Sequence, residues 1–346
     1  MASDIKIVFC LKNVRRRLCF ISLLLGLSVS VQARQITDMA GRKVNIPDHI
    51  TRVLPYDNKT NVLLFPVAGN LMIAKARSME SPSLKYISRA FLSLHEFDPA
   101  NAEEVLRLKP DLLVVGAFVN DAGDVARYAA FSKKVRIPLV VVNLELMSLD
   151  KSYEFLGDLL GKTVEANQCA GLIRKVYQDA QIARKGKRVV GKAYMANDND
   201  GLRTVPVGSN HAQLFEEMGI QNVSKVSLNA KGFAQVSMEQ VLVWNPDYIF
   251  CVGKNPNSPY RTILKSPLWR QVAAVKNKRV YFVPSEPYLW FDMPPSVNRL
   301  LGLVWFSGLF YRRPENITRE NVKDFYRIFY RYNLTDKEYT GLFRWQ

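Results

Sequence analysis

The sequence predicts an α/β protein of two similar lobes. Each is built on a mainly parallel sheet, and one long rigid helix joins them with a ligand cleft between. Three observations carry this expectation. Apolar runs of strand length alternate with helical stretches along most of the chain. A Pro-free amphipathic stretch of more than thirty residues lies near the middle. A helix-turn-strand motif in the first half returns in the second.

Composition narrows the class. The 346 residues are 48% apolar and 23% charged, with ordinary Gly and Pro, which excludes collagen-like, low-complexity and disordered chains. This length exceeds what one small core usually carries, so two lobes are expected. The formal charge of +17, from 48 Lys and Arg against 31 Asp and Glu, points to an anionic partner. Four cysteines, at 10, 19, 169 and 251, make no CxxC, and three scattered histidines make no zinc motif.

The first residues read as a leader. Arg15, Arg16 and Arg17 precede an apolar run from Leu18 to about Val31, and Val31-Gln32-Ala33 suits cleavage before Arg34. A membrane anchor would need about 20 apolar residues, and this run is shorter. Cys19 opens the run instead of closing it, which disfavours a lipoprotein anchor. The adjacent arginines leave the general secretory and twin-arginine routes both open. The leader's five basic residues against Asp4 account for four of the seventeen charges, leaving +13 on the mature chain. An exported protein of this charge meets no nucleic acid where it works. Cys169 and Cys251 remain, and the sequence leaves open whether they pair.

Residues 34–150 read as the first lobe. Ile36 to Val44 reads as two short strands around a turn at Gly41. Val53-Leu54, Leu112 to Val115 and Leu139 to Val142 are buried strands, with helices at Ala100–Leu108 and Asp121–Lys134 between them. Continuous apolar strands imply a parallel sheet covered on both faces. Residues 151–185 read as the connecting helix: Tyr153, Leu156, Leu160, Val164, Leu172 and Val176 fall near helical spacing, and Ser152 to Arg184 is expected to be one helix. Residues 186–346 read as the second lobe. Its strands are expected at Val189–Met195, Tyr248–Val252 and Val280–Val283, and from Val297 a tail of two or three aromatic-rich helices follows.

The halves echo each other. Glu103-Glu104-Val105-Leu106 running to Pro110-Asp111-Leu112 aligns with Glu239-Gln240-Val241-Leu242 running to Pro246-Asp247-Tyr248. In each, a short helix stops at an X-Pro-Asp turn that feeds a buried strand. Two such lobes place a cleft where strand-end loops meet.

With these residues in view, the chain resembles the substrate-binding proteins of ABC importers, in the class handling metal chelates: ferric siderophores, haem and cobalamin. Thr37-Asp38, Gly41-Arg42, Val44 and Pro47 match that family's opening; Gln235 to Leu242 with Asn245-Pro246-Asp247, and Lys276 to Tyr281, match later signatures. Tyr194–Phe233, Trp290–Trp305 and Asp324–Leu334 resemble the branch that includes molybdate and tungstate binders. The resemblance implies two Rossmann-like lobes, a periplasmic location, a monomer, and a permease dimer with its ATPase as partner. It implies no catalytic residue, no cofactor and no protein-held metal, any metal arriving inside the ligand. It also implies that one glutamate per lobe docks on the permease, which falls on Glu103 and Glu239 with Glu104 as a substitute. An iron-siderophore is the first expectation, then haem or cobalamin, then molybdate or tungstate.

Ligand contacts are expected from strand-end loops. In the first lobe these give Tyr56 and Asn58, with Ser78–Glu80, Phe118, Asn120 and Leu144-Glu145 nearby. In the second they give Arg203, His211, Lys254, Tyr260, Arg261, Tyr288 and Trp290. Arginine offers a rigid fork to carboxylate or oxyanion oxygens, and aromatics stack on flat chelates. Tyr56 fits either an iron or haem ligand or a tyrosine packed at the lobe edge. His211 fits either a helix start or metal ligation, Trp290 either a cleft wall or a plug for the tail, and Arg299 is expected to be structural. The expected anion is held mainly by the second lobe. Two rival classes are a metal-chelatase-like enzyme and a polyanion-binding surface module. No nucleophile–His pair and no Gly-rich phosphate loop supports the enzyme.

Overall fold

The structure, a computed structural model, describes residues 33–77, 84–186, 190–229, 231–253, 259–311 and 314–343. The leader assigned to 1–33 therefore lies outside the described residues, apart from Ala33, and so do Ser78–Glu80 and Lys254. Ala33–Thr37 and Lys43–Pro47 form an antiparallel hairpin with Ile36 opposite Val44. Buried Asp38 fastens it to the first lobe, accepting from the Arg42 guanidinium at 2.6 Å and from the Val141 N–H at 3.1 Å.

The first lobe's sheet is parallel, with Leu112–Ala117 between Val53–Pro55 and Leu139–Asn143. Every residue of these three strands is buried, as a sheet covered on both faces requires. The second lobe has a four-stranded parallel sheet in the order Gln221–Asn222, Lys192–Ala196, Tyr248–Cys251, Val280–Phe282.

The internal repeat extends to single hydrogen bonds. Asp111 donates its N–H to the Arg52 carbonyl at 2.8 Å, and Asp247 does the same to Lys192 at 2.8 Å. Each aspartate side chain also accepts from the main-chain N–H of that residue, at 2.9 Å in both lobes. Arg52 and Lys192 then cap helix-end carbonyls, those of Leu108 and Trp244, at 2.8 and 2.9 Å. Lys109 and Asn245 both take positive φ, 48° and 44°, at the helix ends.

The middle stretch is two helices, which corrects the expectation of one. Leu149–Leu160 ends at Gly161, whose φ of 65° is left-handed, and Thr163–Arg184 starts two residues later. Glycine takes that conformation without Cβ strain and closes the first helix. The helices then pack face to face: a Cβ at Gly157 would stand 2.6 Å from that of Ala166. The connecting helix is thus Thr163–Arg184, 22 residues and about 33 Å long. It buries Ala166, Cys169, Ile173, Val176 and Tyr177.

The tail forms three helices, Arg299–Tyr311, Glu315–Phe329 and Asp336–Leu342, the last opened by a Thr335–Glu338 capping box. It reaches the first lobe as well as the second. Tyr86 packs edge-on against Tyr326 and Tyr332, both at 5.4 Å, and Arg331 donates to the Pro66 carbonyl at 3.4 Å. Among the described residues no helix is long and apolar enough to cross a membrane.

Candidate functional site

In parallel sheets the loops leaving strand C-termini gather at one edge, and here the two sets meet. Gln213 of the second lobe accepts from the Leu146 N–H of the first at 3.0 Å. Arg299 donates to that same Gln213 oxygen at 2.8 Å and to the Leu144 carbonyl, with its guanidinium 5.7 Å from the Phe118 ring. Arg299 is 1% exposed, so this fork joins the lobes at the cleft floor. The expectation that it is structural agrees with this position.

From Arg299 a chain of charged and aromatic groups runs into the second lobe. Its Nε lies 3.7 Å from Asp292 Oδ1, and Asp292 Oδ2 bonds His211 Nδ1. His211 stacks on Phe233 with centroids 4.7 Å apart, and Arg203 lies over the Phe233 ring at 4.0 Å. The backbone permits this closeness through Gly232, at φ 79°: a Cβ there would come within 2.8 Å of the His211 ring.

His211 sits between two acceptors. Its Nε2 faces the Lys231 carbonyl at 3.1 Å, which can only accept, while Nδ1 faces a carboxylate. Burial opposes the charge, but the hydrogen bond and charge of Asp292 outweigh it and raise the imidazole above its ordinary 6.5. With both ring nitrogens engaged, His211 offers no lone pair to a metal. Burial lowers the Arg299 pKa against the pull of Asp292. Asp292, 3% exposed, has one oxygen without a hydrogen bond, so it depends on both partners. Arg203 pairs only loosely with Asp198, at 3.4 Å, and is about one-third exposed.

The first lobe adds a smaller cluster. Asp57 caps the Asn58–Ala68 helix, accepting from Thr60 N–H at 3.0 Å and forming an ion pair with Lys59. Lys59 is mostly buried; burial works against its charge, but Asp57 raises its pKa overall. Asn58 is half-buried in that first turn. Tyr56 packs edge-on against Tyr128 and Phe131, both at 5.1 Å, and burial raises its pKa. That is the geometry of a tyrosine packed at the lobe edge.

Other expected residues scatter. Tyr260 and Arg261 open the Tyr260–Lys265 helix: Tyr260 is half-buried, 6.4 Å from the Phe282 ring, and Arg261 is exposed. Tyr288 and Trp290 require correction. Tyr288 is buried against Tyr330 of the tail, which pushes its pKa up to about 12. Trp290 is fully buried, donates to the Glu286 carbonyl at 3.0 Å and meets Phe343 edge-on. Both hold the tail in place. The packing of tail helices takes the faces that a ligand would need.

Glu103 and Glu239 are exposed in the first turns of Ala102–Arg107 and Met238–Trp244. Each helix ends at the turn that feeds its strand, so the two glutamates stand at matching points of the two lobes. Glu104 instead turns inward and accepts from Asp98 N–H at 3.1 Å.

A family description, periplasmic binding protein, matches residues 74–287. The chain belongs to the periplasmic binding protein family. Among curated relatives, this binding protein is 29% identical over 348 residues to the molybdate-binding protein MolA of Haemophilus influenzae, covering 89% of this chain and 94% of that one. It is 27% identical over 299 residues to the iron(3+)-hydroxamate-binding protein YxeB of Bacillus subtilis, covering 80% and 87%. Among solved structures, an ABC transporter solute-binding protein of Sulfurospirillum deleyianum superposes with TM-score 0.79 at 24% identity, covering 90% and 99%. MolA bound to molybdate superposes with TM-score 0.68 at 24% identity, covering 87% and 99%. These neighbours share its two-lobed fold. The family's description and the names of these relatives are those of solute-binding proteins.

The sequence does not single out Phe233 or Lys59, and it gives Asp292 only as the end of the strand-end loop Ser285–Asp292. A signal existed for Asp292, since a carboxylate beside Met293-Pro294-Pro295 in an apolar stretch is costly unless paired. Phe233 carries no periodicity, and Lys59 reads as an ordinary helix-start lysine. Cys169 and Cys251 are free and buried in separate clusters, and burial raises both thiols. Among the described residues no three His, Cys, Asp or Glu side chains gather to hold a metal.

Proposed function

We propose that this protein captures a compact metal oxyanion of the molybdate or tungstate class in its interlobe cleft and delivers it to an inner-membrane permease with its ATPase. The observation that carries this reading is the Arg203–Phe233–His211 stack backed by Asp292 and Arg299. It presents a fixed guanidinium beside a second, buried-side cation, which suits the oxygens of a small anion. The aromatics expected to stack on a flat macrocycle, Tyr288 and Trp290, are buried elsewhere, so the arrangement gives haem or cobalamin little support. The name of the Haemophilus influenzae relative supports the same ligand class.

A second reading is a ferric chelate with anionic oxygens, supported by relatives named for iron(3+)-hydroxamate and Fe(3+)-citrate binding. It uses the same cations. The leader supports delivery to the periplasm, and exposed Glu103 and Glu239 at matching points of the two lobes support docking on two permease subunits. Native mass spectrometry on protein purified from its own host tests the ligand class directly. A bound mass matching molybdate or tungstate is expected; a ferric organic chelate would select the second reading, and a haem or corrinoid would overturn both.

A further inference from the structure

Between Asp247 and Glu286 the chain carries no carboxylate, while seven lysines and arginines fall in that stretch. Six of them are exposed, among them the five at Lys265, Arg270, Lys276, Lys278 and Arg279. The same turns bury Ile263, Trp269, Val272 and Ala274 in the second lobe's core, which forces the residues between them outward. Leu264 and Leu268 stand among the cations at 40% and 54% exposure. Among the described residues none of the five meets a carboxylate within ion-pair distance.

Hydrogen bonds fix the location of Lys276, Lys278 and Arg279. The helix that begins beside Glu239 ends at Asn245, whose side chain accepts from Ala273 N–H at 2.8 Å. Arg279 donates to the Ala274 carbonyl at 2.7 Å, and its own carbonyl accepts from Ile249 at the strand's entry at 3.0 Å. Lys276, Lys278 and Arg279 therefore stand beside the entry of Val280–Phe282, while Lys265 and Arg270 lie on the turns before them, whose Ile263 and Trp269 side chains pack beside Gly201. Val243, 79% exposed on the last turn of that helix, adds a third apolar side chain there. Lysines that merely guard an edge strand would flank Val280–Phe282 and need no exposed leucines beside them. Lys278 and Arg279 do flank that strand, but Lys265 and Arg270 sit on separate turns with Leu264 and Leu268 beside them.

We infer that this basic segment of the second lobe, residues 264–279, is a docking surface for an anionic phospholipid bilayer. Cations spread over successive short turns suit a sheet of mobile headgroups, each adding attraction near such a surface. The interspersed leucines and valine suit the boundary between headgroup and acyl chain.

The test is flotation of the purified protein with phosphatidylcholine vesicles containing or lacking phosphatidylglycerol. Wild type is expected to float only with the anionic vesicles. Lys265→Glu/Lys276→Glu/Lys278→Glu should lower partitioning by about fivefold per position, about a hundredfold together. A control with the same charge change elsewhere, Lys133→Glu/Lys134→Glu/Lys151→Glu, should retain most of it. Leu264→Ser/Leu268→Ser, which keeps every charge, should weaken binding in high salt. Equal losses in the patch and control variants would reduce the effect to net charge and overturn the inference. Absent flotation would also overturn it, and so would patch-dependent capture by soluble poly-glutamate without vesicle binding, which would mark a protein-docking surface.

Discussion

Arg203 lies with its guanidinium 4.0 Å over the ring of Phe233, whose ring also stacks on His211. The ring fixes the plane of the guanidinium and leaves its N–H fork for a ligand, with only a loose pull from Asp198 at 3.4 Å. Arg203→Ala should therefore weaken ligand binding by about 1.5–3 kcal/mol, the worth of a charged hydrogen bond. Arg203→Lys should recover little, since an ammonium lacks the planar fork. Titration calorimetry on both variants checks this.

Arg299 is the lobe-joining cation, and its removal leaves Asp292 buried beside a single partner. Arg299→Met should cost about 3–5 kcal/mol in urea unfolding, as breaking one side of a buried pair does. Adding Asp292→Asn should restore part of that loss, because the stranded charge disappears. Additive losses in the double-mutant cycle would show that the two residues do not act together.

His211 links stability to pH with a definite sign. Its folded pKa lies above the ordinary 6.5, so the imidazolium form is favoured by folding. The contribution is full below the unfolded pKa and is lost as pH rises through the folded one. Wild type should exceed His211→Asn in stability most at about pH 6 and least at about pH 9, by denaturant unfolding at each pH. A gap that widens towards alkaline pH would contradict the Asp292 pairing.

Much of this was readable beforehand, for a physical reason. Strands buried on both faces must be continuously apolar, so Leu112–Ala117 and Leu139–Asn143 announce themselves. The Asp111 and Asp247 motifs recur because the same turn must carry the same hydrogen bonds. Gly161 was the missed helix stop, hidden by apolar periodicity on both sides. The site was less legible. Trp290 in a loop has the same sequence signature whether it faces a cleft or a core. Helices beginning at residue 299 and beyond decide which.

The two lobes should move little on binding. The Thr163–Arg184 helix, the Arg299 fork and the Arg331–Pro66 contact all tie them together. Small-angle scattering with and without ligand should show a change below roughly 1 Å in a radius of gyration near about 20 Å. A larger compaction would mean that these ties open.

Charge reversal at Glu103 and Glu239 together should abolish uptake while leaving ligand affinity unchanged. Both carboxylates are exposed, and neither belongs to the Arg203–Arg299 chain. Uptake of radiolabelled molybdate by cells carrying the double variant, beside calorimetry on the purified protein, separates the two effects. Loss of binding in the purified variant would place these residues in the site.

The most direct measurement is titration calorimetry of the purified protein against molybdate, tungstate, ferric citrate, haemin and free divalent cations, repeated with Arg203→Ala. An anion should bind tightly, molybdate or tungstate ahead of ferric citrate, with affinity falling about tenfold or more in the variant. Tight binding of a bare cation, or an anion affinity indifferent to Arg203, would contradict the account.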